Sequence, residues 1–128
     1  MDYLRYKEHR IPTELAITAD EQEKGLMYKQ NLPEAMAFVY TEPRISKFWM
    51  KNTPQPLDII FSLHNKIVSI AQGVPHSTEL IGGHHISDLV VEMPLGTAKR
   101  LGMRIGDDIQ MEYRPESLSR ILLTATKV

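Results

Sequence analysis

Alternating apolar and polar side chains recur along this chain, and their two-residue period predicts β-strands. Residues 36–40 are apolar on both faces, which predicts a strand covered on both sides. Residues 57–63 and 67–71 flank His64, Asn65 and Lys66, and this arrangement predicts a hairpin in which Asn65 takes a positive φ. The other predicted strands are residues 11–18, 48–52, 88–93 and 109–113.

Capping signals predict two short helices. Thr18 followed by Glu21 forms a capping box, and Gly25 is placed to end the helix that starts there. Residues 94–101 predict the second helix, with Gly102 as its stop.

Turn-forming residues predict where the strands end. A turn is expected at residues 42–44, and Pro54 and Pro56 must break the strand pattern because proline has no backbone N–H to donate. Residues 73–86 are polar and rich in glycine and histidine, which predicts a long loop of the kind that is uncommon unless it is functional or mobile.

The tail that begins at Ser117 has two interpretations. Leu118, Ile121 and Leu122 fit the spacing of a helix, whereas the β-branched content of residues 121–128 favours a strand. We predict the strand.

The predicted elements define the fold class. Six to eight short strands and two short helices, without regular alternation, predict a mainly β domain folded as a small closed or nearly closed β-barrel. We expect a single domain over residues 1–114, with residues 115–128 as a C-terminal extension packed on it.

Composition narrows the function classes. A chain of 128 residues, 42% hydrophobic and 24% charged, predicts one soluble globular core. The net charge of −1 comes from intermixed charges without a basic stripe, so we expect no nucleic-acid partner. No apolar run approaches the roughly 20 residues of a membrane span, and the N-terminus lacks the apolar core of a secretory signal.

The chain has no cysteine. Disulfides, thiolate chemistry and cysteine-based metal sites are therefore excluded, and we predict a cytoplasmic protein without a cofactor.

Several short motifs resemble a known family. The first half contains Gly-Leu-Met at 25–27, the strand at 36–40, Phe-Trp-Met-Lys-Asn-Thr at 48–53 and Pro-Leu-Asp-Ile at 56–59. The second half contributes Glu92-Met93-Pro94, Gly96, Gly102 and Gly106-Asp107. Over residues 15–111 the chain closely resembles the prokaryotic domain-of-unknown-function family 192. The resemblance implies a compact β-barrel-like domain from a bacterium or a phage and assigns no catalytic residue.

The proline turn gathers polar groups that could bind a ligand. Its preset φ angles could bring Lys51, Asn52 and Asp58 together at the barrel rim. Alternatively, Asp58 and Asn52 hold backbone N–H groups in place while Lys51 is solvated. Trp49 is expected in the core, because burying its large ring is favourable, and an exposed Trp49 would indicate a binding surface.

Metal and nucleophile chemistry have weaker signals. His76 with His84 or His85, plus Glu79 or Glu92, could form a metal site, but no recognised ligand spacing is present, so we predict no metal. Neither a nucleophile elbow nor a phosphate-binding glycine motif occurs.

Three hypotheses follow for the function. The leading one is a non-catalytic module that binds a small polar molecule or a protein segment through Lys51, Asn52, Asp58, Trp49 and His76. The second is a hydrolase or isomerase that uses Asp58 with Lys51 or a loop histidine. The third is a scaffold or interaction protein, either monomeric or a weak homodimer.

Overall fold

The computed structural model describes residues 1–126 as a curled, mainly β sheet with three helices. The helices are α1 (Ala19–Lys24), α2 (Thr97–Leu101) and α3 (Pro115–Thr126). The strands are β1 (Asp2–Tyr6), β2 (His9–Ala16), β3 (Met36–Phe48), β4 (Leu57–Leu63), β5 (Lys66–Gly73), β6 (Ile81–Pro94) and β7 (Gln110–Glu112). Within these residues no helix has the length and apolar character needed to cross a bilayer.

Seven strands form one sheet in the order β5-β4-β6-β3-β2-β1-β7. All neighbours are antiparallel except β2 and β3, which run parallel. The two edges approach each other at one end, where Asn65 and Ile67 exchange backbone hydrogen bonds with the segment that leads into β7. The prediction of a nearly closed barrel is therefore confirmed.

Two apolar clusters cover opposite faces of the central strands. In β3, Ala37 and Val39 face the larger cluster, while Met36 and Phe38 face the smaller one. This division confirms the prediction of a strand covered on both sides, because alternate residues point to opposite faces of a sheet.

Local signals account for several elements. The Thr18 hydroxyl accepts a hydrogen bond from the Glu21 N–H, and the Glu21 carboxylate accepts from the Thr18 N–H, so the predicted capping box is present. His64 and Asn65, with φ of 49° and 65°, connect β4 to β5 in the predicted hairpin.

The longest strands overturn two predictions. The turn expected at 42–44 is an irregularity within β3, because β6 pairs with β3 on both sides of it. The loop expected at 73–86 is shorter, because β6 already begins at Ile81. Gly82 makes that start possible: its φ is 90°, and a Cβ there would lie 2.7 Å from the Phe61 ring.

The prediction of a C-terminal strand was wrong. Residues 115–126 form α3, and the remainder of the predicted strand, residues 127–128, lies outside the described residues. The start of α3 is held by Asp2, whose carboxylate accepts hydrogen bonds from the Arg114 N–H and the Ser117 hydroxyl. Ile121 packs on the larger apolar cluster, so contacts with distant residues favour the helix.

Candidate functional site

Four of the five predicted site residues lie around one turn. Lys51 Nζ is 5.2 Å from the centre of the Trp49 ring. The Asn52 carbonyl accepts a hydrogen bond of 2.7 Å from the Tyr28 N–H, and the next carbonyl, that of Thr53, accepts one of 3.1 Å from the His76 N–H. Backbone hydrogen bonds therefore hold this turn against the segment that contains His76.

Asp58 has a different environment from these four residues. It is only 2% exposed, and its Oδ2 accepts hydrogen bonds of 2.9 Å and 3.0 Å from the backbone N–H groups of Gly96 and Ala98. No ion pair joins it to Lys51 in the described part of the chain. Asp58 therefore stabilises the first turn of α2 by accepting hydrogen bonds from its backbone N–H groups. An N-cap side chain does the same for the helix that it precedes.

The expectation that Trp49 belongs to the core was wrong. Its side chain is 44% exposed, whereas the next residue, Met50, is fully buried in the smaller apolar cluster. The reason is that Phe48 and Met50 both pack into the smaller cluster, so Trp49, which lies between them, points away from it. An exposed tryptophan is a candidate binding surface.

Trp49 borders a cavity of about 250 Å³ between the end of α1, β3 and β6. Aromatic rings supply much of its wall: those of Phe38, Tyr40, Phe48 and Trp49. Glu92 and Ser46, which are 4% and 5% exposed, form its buried polar part. The exposed cationic side chains of Lys24, Arg44 and Lys47 lie at its mouth.

Glu92 is the most unusual group in this cavity. Burial raises the pKa of its carboxyl from the ordinary value of 4.5 to about 7. No hydrogen bond or ion pair reaches that carboxyl from residues 1–126, although a buried carboxylate is costly without a partner. Glu92 is buried because β6 is an inner strand of the sheet, paired with β3 on one side and β4 on the other. Its register partners are Met36 and Ile59.

Ser46 adds a second buried group without a partner. Its Oγ lies beside the Tyr40 phenol but makes no hydrogen bond of normal geometry with any described residue. Burial raises the pKa of Tyr40, so this phenol is a neutral donor at physiological pH. Glu92, Ser46 and Tyr40 together offer donors and acceptors to a bound molecule.

Gly25 shapes the cavity from the end of α1. Its φ is 47°, and a Cβ there would lie 3.2 Å from Phe38 Cζ and 3.7 Å from Glu92 Oε1. The absence of a side chain therefore keeps the space beside Glu92 open.

The histidines are not assembled into a metal site. Within residues 1–126, no group of three histidine, aspartate or glutamate side chains is placed to hold a metal ion. His84 and His85 are exposed on β6, and Glu92 lies in the aromatic cavity instead of beside them.

Comparisons with known proteins agree with the motifs described above. The model of domain-of-unknown-function family 192, described as an uncharacterized ACR, matches residues 3–111. The chain belongs to this family. No curated protein matched it.

Two solved structures are similar to it throughout most of its length. One is a protein of unknown function from Novosphingobium aromaticivorans DSM 12444, 34% identical, with a TM-score of 0.77 over 85% of this chain and 82% of that one. The other, from Sinorhizobium meliloti 1021, is described as a candidate transcription regulator. It is also 34% identical, with a TM-score of 0.78 over 86% of this chain and 91% of that one.

Sequence reasoning did not identify this cavity as the site. Apart from their places in the family motifs, it considered Glu92 as a metal ligand and Gly25 as a helix stop. A usable signal was present, because Glu92 shares a strand face with Val90 and follows the fully apolar run Leu89–Val91. An acidic residue on the buried face of a strand that is apolar on both sides is a functional candidate.

Proposed function

We propose that this family member is a non-catalytic binding module whose ligand, a small polar molecule, occupies the cavity beside Glu92. The observation that supports this proposal is the buried Glu92 carboxyl, which lines the cavity and receives no hydrogen bond or ion pair from residues 1–126. The unpaired Ser46 hydroxyl belongs to the same lining. Buried polar groups are normally hydrogen-bonded, so a ligand that supplies the missing bonds would be favoured.

The residues predicted from the sequence contribute unequally to this proposal. Trp49 lines the cavity, and Lys51 lies over its ring without lining the cavity itself. Asn52 and His76 support the turn that carries them. Asp58 acts on the fold through α2. The cytoplasmic location and the absence of a nucleic-acid partner stay predictions.

A thermal-shift screen of a library of polar metabolites tests this function. A ligand present at 100 times its dissociation constant stabilises the folded protein by about 2.7 kcal/mol. We expect hits that stabilise the unmodified protein and lose most of this effect in Trp49→Ala. The matched control is Tyr28→Ala, which removes an exposed aromatic ring outside the cavity. A library without hits, or hits that stabilise Trp49→Ala equally, would refute the proposal.

An enzymatic function is the second candidate, and one observation favours it. The pKa of about 7 would allow the Glu92 carboxyl to act as a general acid or base at neutral pH. A hydrolase or isomerase would therefore use Glu92 in place of Asp58, whose carboxylate is occupied by α2. Incubating the screening hits with the protein and analysing the products by mass spectrometry separates turnover from binding. Conversion that persists in Glu92→Gln would exclude this role.

A further inference from the structure

The inner part of the cavity has the chemistry of a cation site. The Glu92 carboxyl is buried and has no counter-charge among the described residues, and the rings of Phe38, Phe48 and Trp49 line the same space. A buried carboxylate is stabilised by a paired cation, and the faces of aromatic rings attract cations as well. An ammonium group would satisfy both features.

The mouth of the cavity, in contrast, is suited to bind an anionic group. Three exposed cations, Lys24, Arg44 and Lys47, line it against one exposed acid, Glu23, and the three cations form no ion pair within residues 1–126. Arg44 stays close by through its contact with the Tyr40 ring, whose centre is 5.1 Å away. An anionic group on the outer end of a ligand would meet these cations.

The size of the cavity limits the ligand further. Its volume of about 250 Å³ is below the roughly 300 to 1,000 Å³ that is typical of pockets for drug-sized ligands. A single small metabolite fits this description better than a peptide segment.

We propose that the ligand of this cavity is a small zwitterion of the ω-amino acid class, with the ammonium group at one end placed at Glu92 and the carboxylate at the other end facing Arg44 and Lys47. This inference rests on the proposed function, because it names the chemical class of the ligand for the same cavity.

The pH dependence of binding follows from this arrangement. Burial raises the pKa of Glu92 to about 7 in the empty cavity, and an ammonium group would favour its ionised form. Affinity should therefore increase as the pH rises towards about 7 and level off above it. The other ionisable groups that line the cavity are Tyr40, Arg44 and Lys47 from β3, and Glu23 and Lys24 from α1 and its end.

Isothermal titration calorimetry at about pH 8 tests the proposal with a panel of unbranched ω-amino acids of increasing chain length. For each amino acid that binds, the N-acetyl derivative lacks the ammonium group and the amide lacks the carboxylate. Because a charge-assisted hydrogen bond accounts for about ten- to hundredfold in affinity, we expect a loss of that size for the N-acetyl derivative. The amide should bind several-fold more weakly, because its contacts lie in the exposed mouth.

Variants of the protein complete the test. Glu92→Gln should lose affinity about ten- to hundredfold, and exposed Glu79→Gln, outside the cavity, should bind as the unmodified protein does. Because Glu92→Gln removes a buried charge, it should fold at least as stably at this pH, so its loss of binding cannot be attributed to unfolding.

Three results would overturn the inference. If N-acetyl derivatives bind as tightly as the free amino acids, the cavity accepts an anion and the ammonium has no role. If no amino acid binds while other metabolites in the screen do, the binding function stands and the zwitterion is wrong. If neither set binds, the proposed function falls as well.

Discussion

Replacing Glu92 with glutamine should stabilise this protein at neutral and alkaline pH. The substitution keeps the size and shape of the side chain and removes only its ionisation. The folded chain holds the Glu92 proton until about pH 7, whereas the unfolded chain releases it near 4.5. Between these values the folded state binds more protons, so the contribution of Glu92 to the free energy of unfolding falls as the pH rises.

The size of the effect follows from the pKa. Each pKa unit corresponds to about 1.4 kcal/mol, so the shift from 4.5 to about 7 corresponds to a penalty of about 3 kcal/mol. This penalty is absent well below pH 4.5, develops between 4.5 and 7, and is fully present above 7. Such a cost is substantial for a domain that is stable by roughly 5 to 15 kcal/mol.

Urea denaturation followed by circular dichroism measures the effect. We compare the unmodified protein with Glu92→Gln between about pH 5 and pH 8. The difference in unfolding free energy should grow by about 2 to 3 kcal/mol across this range, with the variant more stable at the alkaline end. Exposed Glu79→Gln serves as the control and should follow the unmodified protein.

Parallel profiles for the two proteins would refute the reasoning. They would mean that the Glu92 carboxylate is already compensated in the folded state, and the buried acid could no longer support a ligand site.

Three further substitutions test contacts that hold the fold together. Asp58→Ala should lower the unfolding free energy measured in urea by about 3 kcal/mol or more, because two hydrogen bonds to a charged acceptor are lost. The control Asp108→Ala, which removes an exposed ion pair, should cost less than about 1 kcal/mol, and equal losses would contradict the role of Asp58 in holding α2. Tyr6→Phe should cost about 1 to 3 kcal/mol in thermal unfolding, because its buried hydroxyl donates to Asp107; an unchanged melting temperature would show that this bond is not stabilising. Asp2→Ala should accelerate hydrogen exchange in α3 selectively, and unchanged protection there would mean that packing alone holds the helix.

Elements whose signals are local could be predicted from the amino-acid sequence alone. The α1 capping box, the left-handed turn at His64 and Asn65, and the doubly covered strand at residues 36–40 each depend on residues close together in the chain. The same patterns indicated a mainly β, nearly closed barrel, and short motifs indicated the family.

Other features depend on contacts between residues that are far apart in the chain. Asp58 reaches the start of α2, 38 and 40 positions along the chain, and Asp2 reaches α3 across more than 110 positions. No local pattern records such pairings, which is why the tail was predicted as a strand and Asp58 as a rim residue.

The candidate site also depends on contacts between residues that are far apart in the chain. Trp49 was predicted from the sequence as a site residue, and the structure places it on the cavity. The burial of Glu92 required the pairing of β6 with both β3 and β4, together with the bare backbone of Gly25 beside it. Strand alternation assigns a face to each residue, but only the assembled sheet determines which face is closed to water and therefore where a carboxyl group is left without a partner.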